Sequence, residues 1–250
     1  MARVLIWDWP VRLYHWLLVA GILTAFGLAI FAPEHSTLFQ YHAIIGILVG
    51  VMVILRIIWG IIGSRHARFS SFAYGPRAVL DYFRDIAAGR RTRYIGHNPA
   101  SSWVIYLMMA LVLAIVGAGL LTAAGYHAFE DIHEMLVYVL LGAAGVHVLG
   151  VIVHTIRHRE NITLGMINGH KEAHADHAIR SSRPITGVVF VLLMLFLGGS
   201  LYYEYDSAGR TTRIPLIGKV FRLDKPPKPG KGHDVKTKLS VGSGVRDRAS

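Results

Sequence analysis

The chain has 250 residues, 53% of them hydrophobic and 16% charged, with a formal net charge of +11 and no cysteine. Soluble domains carry about a quarter charged residues, so the charge deficit excludes an ordinary soluble domain and points to an integral membrane protein. The lack of cysteine excludes disulfides, thiolate iron–sulfur ligation and c-type haem attachment. Fourteen histidines remain as candidate metal ligands. The basic residues lie between apolar runs, so they read as topology signals and not as a nucleic-acid footprint. No cleavable signal peptide is expected, because MARVLIWDWPVRLYHW has no small-residue cleavage site after a short apolar core.

In chain order, five runs approach the roughly 20 residues a transmembrane helix needs: Leu13–Phe31, His42–Ile62, Ser102–Ala124, His133–Ile156 and Pro184–Tyr203. The connections FAPEHSTLFQY and GYHAFEDI carry no Lys or Arg. The connection Gly63–Ser101 carries Arg65, Arg68, Arg77, Arg84, Arg90, Arg91 and Arg93, and the next carries Arg157, Arg159, Lys171, Arg180 and Arg183. Positive loops stay in the cytoplasm, so the N-terminus is expected inside, with the first and third spans running outward. Within Gly63–Ser101, PRAVLDYFRDIAAGRR predicts a short amphipathic helix on the inner surface. After the fifth span, eleven Lys and Arg from Arg210 to Arg248 place a basic tail outside. TRIPLIGKVFRL predicts a short ordered piece, and DKPPKPGKGHDVK an extended or disordered one.

The fourth run, HEMLVYVLLGAAGVHVLGVIVHTIRH, raises a chemical question. At about 100° per residue, the 14 residues from His133 to His147 return within about 40° of the same face. Seven more residues bring His154 onto the same stripe, and four more bring His158 near it, among cytoplasmic arginines. Polar rings in a bilayer are costly and mark function. The partners lie on other helices. His15 is near the inner end of the first span and His42 at the outer start of the second. His42 and His133 are therefore level near the outside, and His15 and His147 lie deeper. Two levels, each with one histidine from each of two helices, predict two haems with axial imidazoles above and below the porphyrin. Geometry alone leaves His147 and His154 open as the inner ligand.

Arg56 lies 14 residues after His42. A buried arginine needs a partner, and a haem propionate on the inner side supplies one; snorkelling to inner headgroups is the competing reading. Gly46, Gly142 and Gly145 allow close approach of a flat macrocycle or ordinary helix packing. The tryptophans read mostly as an interfacial belt. A histidine-rich metal transporter is the rival class, but zinc wants three or four ligands at one point, whereas here the spans carry essentially no acid.

Together, WDWPVRLYHW, YHAIIGILVGVMVILRIIWG and HEMLVYVLLGAAGVHVLGVIVH resemble the bacterial cytochrome b561 and nickel–iron hydrogenase b-type cytochrome family, over roughly residues 5–165. The resemblance implies an all-α, four-helix membrane bundle holding two b haems, which passes electrons between the quinone pool and a redox partner in a bacterial inner membrane. It implies His15 and His147 as ligands of the inner haem iron, His42 and His133 as ligands of the outer one, and His154 as a haem neighbour. The expected organisation is a di-haem domain at residues 1–165, a linker and fifth helix at 166–203, and a basic, periplasmic tail at 204–250. The fifth helix and tail depart from the common core and favour a partner such as a c-type cytochrome, a dehydrogenase or a hydrogenase; a stand-alone quinol-oxidising cytochrome is the alternative. No residue is assigned to the quinone, and His35, His127 and His154 are candidates for coupled proton transfer.

Overall fold

A computed structural model describes residues 2–33, 36–206, 211–213 and 220–222. Five helices are long and apolar enough to cross a membrane: α1 (Trp9–Phe31), α2 (Thr37–Ile62), α4 (Pro99–Ala123), α5 (Ala128–His158) and α7 (Pro184–Tyr203). The amphipathic α3 (Pro76–Ala87) forms where the sequence predicts it, and a short α6 (Ile162–Asn168) follows α5. The chain is an all-α, multi-pass membrane protein.

Four of the spans begin several residues before the apolar runs do. Polar caps explain three of these early starts. Asp8 accepts the Val11 amide at 2.9 Å ahead of Pro10, Ser36 accepts the Phe39 amide at 3.2 Å, and Asn98 accepts the Ser101 amide at 2.8 Å ahead of Pro99. Each satisfies an amide that a helix start leaves unpaired, and proline suits the first turn. In α5, Glu130 and Asp131 in the first turn and Arg157 and His158 in the last match the helix dipole.

Helix α1 packs along α2, and α4 along α5. Helix α2 also reaches α4, so it is the central element, and α7 lies against α1 and α2. Val49, Met52 and Val53 of α2 meet Met109, Leu111 and Val112 of α4 and Leu140 of α5 in the main apolar core. Much of the remaining span surface is exposed and apolar, as lipid-facing helices require.

The end of the bundle at which α1 begins, expected from the Arg and Lys pattern to be the inner one, carries a cap that apolar periodicity does not foresee. Strand β1 (Ala2–Leu5) pairs antiparallel with β2 (His170–Ala173), tying the N-terminus to the segment after α6. Ile6, Trp7, Val11 and Ala67 form a second core beneath this ribbon. Trp7 is therefore a core residue and not an interfacial one, while Trp9, Trp16 and Trp103 remain exposed. Trp59 donates to the second Asp8 oxygen at 3.0 Å, so one carboxylate caps α1 and binds α2. Beyond α7, β3 (Thr211–Arg213) pairs with β4 (Val220–Arg222) within the stretch predicted to be ordered. The basic residues after Arg222, and DKPPKPGKGHDVK with them, lie outside the described residues, as does His35.

Candidate functional site

At the opposite end of the bundle, the expected outer end, His42 of α2 and His133 of α5 face each other with ring centroids 6.0 Å apart and planes at 73°. His42 Nδ1 donates to the Ala25 carbonyl of α1 at 2.8 Å, and His133 Nδ1 to the Ile115 carbonyl of α4 at 2.9 Å. Each ring is thus held by a backbone oxygen on a neighbouring helix. With the proton on Nδ1, the Nε2 lone pair is available to a metal. Two metal–nitrogen bonds of about 2 Å each, with the half-width of each imidazole added, set axial rings about 6 Å apart. The pair fits an iron porphyrin. Phe39 stacks on His42 at 5.5 Å and fixes its second face.

At the inner end, His15 of α1 is half-buried, and its Nδ1 is enclosed without a hydrogen-bond partner. His147 of α5 is the titratable side chain whose field reaches it. At Gly46, Gly142 and Gly145 an added Cβ would meet no described atom within 4 Å, so these glycines do not close a helix–helix contact.

His154 diverges from the stripe the spacing predicts. It is buried, its ring stacks on His158 at 4.4 Å, and its Nε2 lies 3.7 Å from Glu160. Lys171, on β2, lies 3.7 Å from the same Glu160 oxygen and donates to the Tyr94 carbonyl at 2.8 Å. His154 thus belongs to a polar group at the cap. His127 precedes α5 at the outer end.

Arg56 is 5% exposed, which excludes snorkelling to the headgroups. Its Nη2 donates to the Ala67 carbonyl at 3.1 Å, and its Nη1 is buried without a partner. The guanidinium lies over the rings of Phe69 at 5.2 Å and Tyr14 at 5.8 Å. A Cβ on Gly60 would stand 2.3 Å from the Phe69 ring, so the missing side chain is what admits Phe69 beside Arg56. An arginine remains charged, and a buried one with a free N–H fits a carboxylate such as a propionate.

Sequence reasoning missed His97, Glu160 and Lys171 as residues of this region. His97 had a readable signal: it directly precedes Asn98–Pro99, the start of the third span. Among the described residues, no three His, Cys, Asp or Glu side chains converge to hold a metal ion.

Comparison with known proteins agrees with this chemistry. The family described as prokaryotic cytochrome b561 matches residues 6–169. The chain is 27% identical over 211 residues to the probable Ni/Fe-hydrogenase B-type cytochrome subunit of Rhizobium leguminosarum bv. viciae, covering 67% of this chain and 88% of that relative. No solved structure matches. The family is one of electron-transferring membrane cytochromes with b-type haem. With more than half of its length matched, including its first four spans, the chain belongs to the prokaryotic cytochrome b561 family.

Proposed function

We propose that the chain relays electrons across a bacterial inner membrane through two b haems, one held by His42 and His133 and the other by His15 and His147. The observation that carries this reading is the 6.0 Å His42–His133 pair, with both rings anchored through Nδ1. Bound b haem supplies a one-electron ferrous–ferric couple. The four imidazoles, two for each haem, would hold the cofactors by histidine alone, and the residues would serve electron transfer without binding substrate. The Nδ1 anchors hold the outer rings in one tautomer and orientation. Arg56, fixed by Ala67 and Phe69, would offer its unpartnered Nη1 to a propionate of the inner haem. The orientation of His154 toward Glu160 favours His147 as the inner ligand.

The distribution of Arg and Lys favours a cytoplasmic cap, with the His42–His133 end outside. Residues 1–165 form the haem domain, 166–203 the linker and fifth helix, and 204–250 a periplasmic tail. Electrons pass between the quinone pool and a redox partner protein. The hydrogenase-subunit name of the Rhizobium relative favours a membrane subunit of a larger oxidoreductase over a stand-alone quinol-oxidising cytochrome. The lack of a three-ligand cluster among the described residues disfavours the metal transporter. Carbon monoxide tests the bis-histidine reading: the reduced protein should keep its spectrum on exposure, and a shifted band from both centres would overturn it. Purification from the native membrane identifies the partner.

A further inference from the structure

His97 is the least expected polar group at the inner end. It lies in the connection between α3 and α4, fixed by Asn98, the cap of α4, and by Pro99. Its ring is clamped between Trp7, at 4.8 Å, and Phe72, at 4.5 Å. Phe72 is itself 1% exposed and packs on Phe69 at 5.8 Å and Tyr106 at 5.4 Å. Phe69 carries the Arg56 guanidinium. One aromatic cluster therefore positions both Arg56 and His97.

Both residues end in buried nitrogens without partners, Arg56 Nη1, which donates, and His97 Nδ1, which donates in the tautomer that carries its proton there. A buried polar group left unpaired is costly, and more so when charged. Asp8, the capping carboxylate of α1 whose field reaches Arg56, is committed to the Val11 amide and the Trp59 indole. The other groups whose fields reach His97 are His147, Lys171 and His66, so no anion among the described residues answers it. Burial, and then the Arg56 charge, push His97 down to about 3. An anion between the two donors reverses that balance and satisfies both.

We propose that His97 and Arg56 form one carboxylate cradle, in which His97 Nδ1–H and Arg56 Nη1–H donate to a propionate of the inner haem. This rests on the reading of His15 and His147 as the inner ligands. A haem propionate and a free small carboxylate share the chemistry. The field of His147 at His97 favours the propionate, because it puts the cradle beside the ligand helix. His97 is a positioning residue: it fixes the tilt of the cofactor and offsets its negative charge.

Two substitutions in the full-length protein separate hydrogen bonding from packing. His97→Phe keeps a ring between Trp7 and Phe72 and removes the donor. His97→Asn keeps a donor near the Nδ1 position and removes the ring. The readouts are inner-haem midpoint potential, haem dissociation rate and redox-difference infrared spectra with haem labelled by carbon-13 at its propionates. His97→Phe should lower the inner potential, shift the labelled carboxylate band and speed inner-haem loss about tenfold or more, as for a hydrogen bond to a charged group. His97→Asn should stay near wild type in potential and band. The proposal is overturned if Asn changes the potential more than Phe, if neither changes it, or if Phe changes it while the labelled band stays fixed, which would assign the cradle to a free anion. The wild-type haem count in the same samples reports separately on the two-haem reading; a wild-type chain without an inner haem overturns both.

Discussion

The His154 Nε2 lies 3.7 Å from Glu160 Oε2, and the Lys171 ammonium lies 3.7 Å from that same oxygen. The histidine on the correct helical stripe therefore turns toward the cap, where it shares the Glu160 carboxylate with the Lys171 ammonium. Its Nε2, the atom a metal would use, is directed to Glu160. His154→Ala should keep both haems and leave Glu160 with Lys171 alone. His147→Ala should lose the inner haem and keep the outer one. Optical spectra of the two purified variants check this, and loss of a haem from the His154 variant alone would reverse the assignment.

The outer pair makes a sharper prediction, because two substitutions should remove one object. His42→Ala and His133→Ala should each abolish the same component of a redox titration, and the double variant should lose no more than either alone. Two different components lost would show that the rings serve separate sites. Their anchors are the Ala25 and Ile115 carbonyls, so the pairing depends on α1 and α4 as well as on the helices that carry the ligands.

Asp8 joins α1 to α2 through two hydrogen bonds. Asp8→Ala removes a helix cap, worth about 0.5–2 kcal/mol, and leaves the Trp59 indole unpaired, at about 1–3 kcal/mol. Thermal denaturation in detergent should show a clear loss of stability. Asp8→Asn, which keeps a capping oxygen, should lose less. Equal Tm values for wild type and Asp8→Ala would exclude this link.

Most of this architecture was legible in the chain. The five spans follow from apolar runs alone, and the meeting of His42 with His133 was expected from their places at the span ends. The start of α1 was recoverable from Asp8 and Pro10, because a cap and a first-turn proline mark a helix start independently of hydropathy. The cap was not legible. Its strands are four residues each and pair residues some 170 positions apart, Ala2 with Ala173, and no local period encodes such a contact. His154 illustrates the same limit: periodicity gives a face, but Glu160 and Lys171, brought in by the turn after α5 and by β2, decide where the ring points.

The cap should also respond to pH. Burial pushes His66 below the ordinary histidine value; the hydrogen bond it donates to the His177 carbonyl pulls it partly back, and Arg65, His177 and Lys171 push it further down. The folded state therefore favours the neutral ring, while the unfolded chain takes up a proton near pH 6.5. Stability from this group is complete above about pH 6.5 and is lost as the pH falls below it, by at most about 1.4 kcal/mol per pH unit, until the depressed folded value is reached. Hydrogen exchange of β2 amides, corrected for intrinsic rates, should show weaker protection at pH 5.5 than at 7.5. His66→Gln should reduce the difference. Protection that is unchanged between these two conditions would contradict the assignment.

The central claim is that four histidines on three helices hold two b haems. A pyridine haemochrome assay on the purified full-length protein, set against quantitative amino-acid analysis, tests it most directly. The account predicts two b haems per chain; one haem per chain, or none, would contradict it.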